Sequence, residues 1–169
     1  MAERMGLTPA QTVGPFLHLA LADPAAWDAV GAEATGAITI AGSLVDGHGD
    51  PVPDAVVETW QIDGYFTRCA TDLAGEWAVR TVKPPPVPTR DGTPQAPHLV
   101  VSVFARGLLD RVVTRIYFGD ETAANVADPT LAAVDPARRH RLVAEPVGSG
   151  GYRFDIRLQG DDESVFFAI

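Results

Sequence analysis

A histidine and an arginine stand at the two ends of one apolar stretch, His98-Leu99-Val100-Val101-Ser102-Val103-Phe104-Ala105-Arg106. Imidazole can ligate a metal or carry a proton near neutral pH, and a guanidinium can grip a carboxylate through paired donors. The stretch is rich in β-branched residues, which predicts a strand, and strand side chains alternate between faces. His98, Val100, Ser102, Phe104 and Arg106 therefore share one face, and Leu99, Val101, Val103 and Ala105 the other. The ordinary reading of this pattern is structural: His98 closes a strand and Arg106 pairs with a surface acid. The remaining histidines, His18, His48 and His140, are scattered. Tyr65 follows a glycine turn, Tyr152 falls on the apolar side of an alternating segment, and Tyr117 points opposite to Ile116, toward solvent or an interface. A metal centre needs three or four ligands. A self-sufficient site using His98 and Tyr65 and a non-enzymatic binding module are both open readings at this level. No G-x-S-x-G nucleophile, phosphate-cradling loop, C-x-x-C or H-E-x-x-H occurs.

The elements that would hold these residues follow from the rest of the chain. Lys83–Pro97 contains six prolines and the pair Asp91-Gly92, so it predicts a stiff ordered loop that feeds the His98 strand. Residues 8–16 hold two prolines and a glycine and predict an irregular apolar arm that packs against something. Asp23-Pro24 is a capping residue followed by proline and predicts a short helix. Strands are expected at Ile38–Val45, which a glycine turn of the hairpin kind closes, at Asp54–Ile62, Phe66–Thr71, Glu76–Val82, His98–Arg106 and Arg111–Phe118. Asp120 is read as the cap of a helix over Thr122–Ala127, and Asp128-Pro129 as the start of a second one reaching Val134. Leu142–Pro146 and Gly151–Gln159 read as a hairpin, and Ser164–Ile169 as a last strand. The expected fold is all-β: a β-sandwich of about nine strands with short helices. It forms a single domain over 1–169 with an N-terminal arm over 1–36.

Composition sets the outer limits. A chain of 169 residues, 46% of them hydrophobic, can bury roughly 70% of its unfolded surface in one core. Its formal net charge of −9 repels phosphate, so nucleic acid and anionic membranes are not expected partners. The basic run Arg138-Arg139-His140-Arg141 reads as a source of local salt bridges. The single cysteine, Cys69, leaves no internal disulfide, and the first residues show no basic-then-apolar leader, so a cytoplasmic protein is expected.

Several separate blocks occur in a recognisable order: Trp60-Gln61-Ile62-Asp63-Gly64-Tyr65, Arg68-Cys69-Ala70-Thr71-Asp72, Gly75-Glu76-Trp77, Thr81-Val82-Lys83-Pro84 and Ala96-Pro97-His98. Over nearly the whole chain they resemble the intradiol ring-cleavage dioxygenases. Thr8–Phe16, Phe104-Ala105-Arg106 and Tyr152–Phe167 resemble the type of chain that works beside a metal-bearing homologue in that family. The family holds Fe(III) with two tyrosinates and two histidines, the hard ion being suited by anionic phenolate oxygen. Its histidines form His-x-His, where this chain reads His98-Leu99-Val100. One ligand tyrosine lies in the proline loop, where this chain has Val87. The other lies in an insertion between Tyr65 and Arg68 that is nearly absent here, and Gln95 replaces a family arginine three residues before His98.

The resemblance thus implies a chain with no metal and no catalytic residue of its own, with Val87, His98 and Val100 as degenerate ligand positions. It implies Fe(III) in a homologous beta subunit, with protocatechuate and O2 as substrates in the catabolism of aromatic compounds. It further implies that Arg106, Thr12, Gly14 and Pro15 line the substrate side of the shared cleft, where a guanidinium would favour a carboxylate.

Overall fold

The computed structural model describes residues 21, 23–89 and 92–168. The expected arm residues Thr12, Gly14 and Pro15 lie outside the described residues.

β1 (Ala37–Val45) alternates strictly, with Ile38, Ile40, Gly42 and Leu44 turned inward. It pairs antiparallel with β4 (Glu76–Val82). Gly42 is required by close approach: a Cβ there would come 1.7 Å from the Phe154 carbonyl oxygen. The other sheet contains β2 (Val56–Trp60), β3 (Phe66–Ala70), β5 (His98–Phe104) and β6 (Val112–Phe118). Two short helices follow, α1 (Thr122–Ala127) and α2 (Pro129–Ala133), then a 3-10 turn over Arg139–Leu142. The chain returns through β7 (Val143–Val147), β8 (Gly151–Arg153) and β9 (Ile156–Arg157), the last pairing with β1.

The order β3-β2-β5-β6-β7-β8-β1-β4 runs through a strand that changes sheets. The start of β7 pairs parallel with β6, Tyr117 opposite Val143, and its end pairs antiparallel with β8, Val147 opposite Gly151. Residues 26–29 close the opposite side. Ala26 O accepts from Arg68 N on the β3 edge, while Trp27 O and Ala29 N bond the backbone of Arg80 on the β4 edge. The result is an all-β sandwich. Leu99, Val101, Val103 and Ala105 from one face of β5 pack in its core with Ile40, Leu44, Val79, Ile116, Phe118 and Ile156. Each such aliphatic side chain taken fully out of water contributes about 1.5–3 kcal/mol.

Five local expectations are corrected. The Asp23-Pro24 segment is a turn, Ala26 N bonding Asp23 O at 3.0 Å, and it does not continue as a helix. The glycine turn after β1 closes only one pair, Val45 opposite Pro51, and the chain then crosses to the other sheet. Asp120 does not cap α1, whose N-terminal residue Glu121 makes no side-chain capping bond; the Asp120 carboxylate is drawn instead to Lys83 Nζ at 2.7 Å and Tyr152 Oη at 3.1 Å. The expected arm Gly151–Gln159 is split into β8 and β9, because Asp155 Oδ1 accepts from both the backbone N and the Oγ of Ser43 and so puts a side chain where a ladder would run. Ser164–Phe167 forms no strand. Its backbone bonds go singly to different elements, Ser164 N to Arg157 O and Phe167 N to Val113 O. The second helix does begin as expected, with Asp128 Oδ1 accepting from Leu131 N at 2.7 Å.

Candidate functional site: a polar network around His98

The alternation of β5 is as the sequence predicts. Its Leu99 face is fully buried in the core, and its other face carries His98, Val100, Ser102 and Phe104. Arg106 lies beyond the end of the strand. Eight residues of extended chain separate it from His98, roughly 26 Å, so the two do not meet.

At the His98 end, β6 runs directly alongside, with His98 opposite Tyr117 and Val100 opposite Arg115. The His98 and Tyr117 rings lie 5.4 Å apart. The proline loop is pinned next to them by a two-way backbone pair between Val87 and Gln95, at 3.0 and 2.9 Å. Gln95 spans two elements, accepting from Arg115 NH1 at 3.1 Å and donating to Thr130 Oγ1 at 3.1 Å. Asp128, fully buried, is the centre of the network. Its carboxylate accepts from Ala96 N at 2.8 Å, Leu131 N at 2.7 Å and Tyr117 Oη at 3.3 Å. Arg115 NH1 in turn donates to Tyr117 Oη at 3.2 Å. One carboxylate thereby ties the proline loop, α2 and β6 together.

Tyr117 is completely buried, which corrects the expectation that it points to solvent or an interface. It does face away from the main core, but α2, the 3-10 turn and the C-terminal segment cover that side with Leu131, Leu142 and Val165. Tyr65, at the turn between β2 and β3, is 37% exposed. The Arg138–Arg141 run serves local ion pairs as expected, Arg138 with Glu163 and Arg141 with Asp162.

The protonation states follow from burial. His98 is 5% exposed, and desolvation holds its imidazole below the usual histidine range against the opposing bond to Ala96 O. Its Nδ1–H donates to that carbonyl at 2.8 Å. Burial pushes the Tyr117 phenol up to about 12, although Arg115 pulls the other way. It is a neutral phenol that donates to Asp128 and accepts from Arg115.

These residues do not fit a ferric ion. Val87 and Val100 offer no lone pair, and the Tyr117 oxygen is protonated and engaged on both sides. Arg115 already brings a positive charge, and among the described residues no group of three His, Cys, Asp or Glu could hold a metal.

At the other end, Arg106 Nε meets Asp54 Oδ2 at 2.8 Å, with the arginine side chain 63% exposed. This is the surface ion pair that the ordinary reading of the sequence anticipates. Asp54 sits at φ 62°, in the left-handed region, where Asp is tolerated better than most residues.

The described fold is that of the intradiol ring-cleavage dioxygenases. The dioxygenase domain of a carbohydrate-binding fusion protein from Streptomyces sp. SirexAA-E superimposes with a TM-score of 0.59 at 20% identity, over 79% of this chain and 87% of that one. An intradiol ring-cleavage dioxygenase from Tetranychus urticae gives 0.61 at 13% identity, over 80% and 88%. No family model matches the sequence. Among curated proteins, the protocatechuate 3,4-dioxygenase alpha chain of Pseudomonas putida is 40% identical over 191 aligned residues, 95% of each chain. That of Burkholderia cepacia is 37% identical over 199, covering 96% of this chain and 97% of that one. The chain belongs to the protocatechuate 3,4-dioxygenase alpha-chain family. The beta chain of the Burkholderia cepacia enzyme is also similar, 30% identical over 155 residues, 74% of this chain and 65% of that one.

Asp128 and Arg115 are the network residues that the sequence pattern did not single out. Asp128 was legible only as a helix cap. Arg115 breaks the apolar run Val112–Phe118, and that interruption opposite Val100 was the available signal.

Proposed function

We propose that this chain is the non-iron-binding alpha subunit of a protocatechuate 3,4-dioxygenase, working with a homologous beta subunit that holds Fe(III). The assembled enzyme cleaves protocatechuate between its two hydroxyls, using O2, to 3-carboxy-cis,cis-muconate. The observation that carries this reading is the pair Val87 and Val100 at the ligand positions, beside a protonated Tyr117 and a guanidinium. Those side chains exclude the donor set that ferric chemistry requires, so reactivity has to come from the partner. The likeness to both alpha and beta chains supports such a pairing.

In this reading the chain contributes shape and charge. Arg106 stands at an exposed loop end of the sheet, where Asp54 neutralises it only in part because water screens the pair. Together with Thr12, Gly14 and Pro15 it lines the substrate side of the partner's cleft and favours the protocatechuate carboxylate. The assembly is cytoplasmic, in keeping with a single cysteine and no internal disulfide. Among the described residues no helix is long and apolar enough to cross a membrane.

Co-expression with a beta chain tests the proposal. Iron and ring cleavage are expected in the complex and absent from this chain alone; turnover by the isolated chain would refute the assignment. Within the complex, Arg106→Ala should lower kcat/KM for protocatechuate by roughly tenfold, the loss of one charge-assisted contact, and leave the iron content unchanged.

A further inference from the structure

The two short helices bury little. α1, read Thr122-Ala123-Ala124-Asn125-Val126-Ala127, holds no buried residue, and α2 buries only Leu131. Helices this short depend on packing for their stability, yet these two leave a gap where they meet the sheet. Gly119, just after β6, and Ala132, on α2, fill little of it, and a cavity of about 310 Å³ remains. Gly119 has no room to grow, because a Cβ there would come 2.9 Å from the Ala144 carbonyl oxygen. The walls are aliphatic: Val126, Leu131, Ala132 and Val143. Among the described residues no aromatic and no acidic side chain lines the cavity, and none of the polar side chains of the His98 network does.

Two polar groups on these walls are incompletely used. Arg139 stands between two paired arginines, Arg138 with Glu163 and Arg141 with Asp162, yet among the described residues no carboxylate lies within ion-pair distance of it. Its Nε and NH2 donate to the Val134 and Ala132 carbonyls at 2.8 and 2.7 Å and so fasten the end of α2. NH1 finds no acceptor among the described residues, so part of the guanidinium's donor fork is spare. Asn125 is the second group. Its Nδ2 donates to Phe118 O at 2.8 Å, which fixes the orientation of the carboxamide, and its buried Oδ1 has no donor. Buried acceptors are nearly always paired. A cation without a counter-ion and an amide oxygen without a donor thus stand on one aliphatic cavity.

We propose that this cavity binds a short aliphatic hydroxy acid, its carboxylate on NH1 of Arg139, its hydroxyl donating to Asn125 Oδ1 and its hydrocarbon against Val126, Leu131 and Val143. The donor is a hydroxyl and not an ammonium, because no acid lines the cavity to balance a second charge. The volume lies at the small end for ligand sites, which suits a body of a few carbons. The site uses this chain's residues alone and no side chain of the His98 network, so it holds whether or not the alpha-subunit reading does.

Calorimetric titration of the full chain with α-hydroxyisocaproate tests it, with isocaproate and α-hydroxyisocaproamide as controls. Saturable binding is expected with a Kd of about 1 mM or below. Isocaproate, which lacks the hydroxyl, should bind about fivefold more weakly, and the uncharged amide at least about tenfold more weakly. Arg139→Gln should lose at least about tenfold. Because that change also frees the end of α2, Ala132→Trp is the second variant. It keeps the guanidinium, puts an indole into the cavity from an exposed helix position, and should abolish binding while the circular dichroism stays that of the parent. Absence of saturable heat overturns the proposal, as does equal binding of either control. Unchanged affinity in a folded Arg139→Gln or Ala132→Trp sinks it too. If neither variant folds, the order of the three ligands on the parent chain decides. Ligand binding without ring cleavage in the presence of the beta chain would refute the alpha-subunit reading alone. Ring cleavage without ligand binding by this chain would refute this one alone.

Discussion

The two ends of β5 carry the two side chains with which chemistry could begin, and the fold treats them oppositely. At the His98 end, three elements converge, and the His98 Nδ1–H, the Tyr117 hydroxyl and the Asp128 carboxylate are tied to buried partners. At the Arg106 end the chain leaves the sheet, and a single ion pair to Asp54 lies largely in water. The first end is buried scaffold, and the second is an exposed surface.

Breaking the buried end should show that it is scaffold. Asp128→Ala leaves Ala96 N, Leu131 N and the Tyr117 hydroxyl without their acceptor and removes the cap of α2. The expected loss is about 3 kcal/mol, a buried-donor penalty plus a lost cap, read as a lower urea midpoint. A variant within 0.5 kcal/mol of the parent by this rough scale would mean the network does not hold the fold. Tyr117→Phe is the milder cut. It removes one donor to Asp128 and one acceptor for Arg115 while keeping the ring in its apolar setting, so about 1–2 kcal/mol is expected by the same measurement.

That scaffold was only partly visible in the sequence. Period-two alternation placed the Leu99 face of β5 and the inward residues of β1, since a one-residue error would have turned every core side chain to water. The blocks around Trp60, Thr71 and His98 placed the family. Lost signals were those that depend on long-range covering. Tyr117 is read from its own strand as facing solvent or an interface because the residues that bury it, Leu131, Leu142 and Val165, come later in the chain. Asp120 is a plausible cap until Lys83, 37 positions away, claims it. The split between β8 and β9 depends on Ser43, more than a hundred residues earlier. That Val87 and Val100 cannot coordinate a metal is readable from their side chains alone, because an aliphatic group offers no lone pair wherever it lies.

A pH series sharpens the contrast further. The His98 pKa is lowered in the folded chain, first by desolvation, so below the ordinary histidine value of about 6.5 the unfolded state binds a proton that the folded state resists. Stability should therefore fall as pH drops from about 7.5 to about 5. His98→Gln should flatten that slope, measured as urea midpoints at the two ends. An unchanged slope in His98→Gln would show that His98 is not held neutral by the interior.

The smallest effect belongs to the exposed end. Arg106 and Asp54 form a close pair, but with 63% and 37% of their side chains in contact with water the attraction is screened and offset by the ordering of two flexible groups. A double-mutant cycle with Arg106→Ala and Asp54→Asn should give a coupling of about 0.5 kcal/mol or less. Asparagine is the appropriate replacement because position 54 has φ 62°, which alanine adopts poorly. A coupling above about 2 kcal/mol would make the pair structural, like the Asp128 network, and the two ends of β5 would no longer differ in kind. A weak coupling combined with lost turnover in the assembled enzyme would instead place Arg106 where the substrate carboxylate competes with Asp54 for the same guanidinium. Asp54→Asn, which removes that competitor, should then lower KM for protocatechuate while Arg106→Ala raises it.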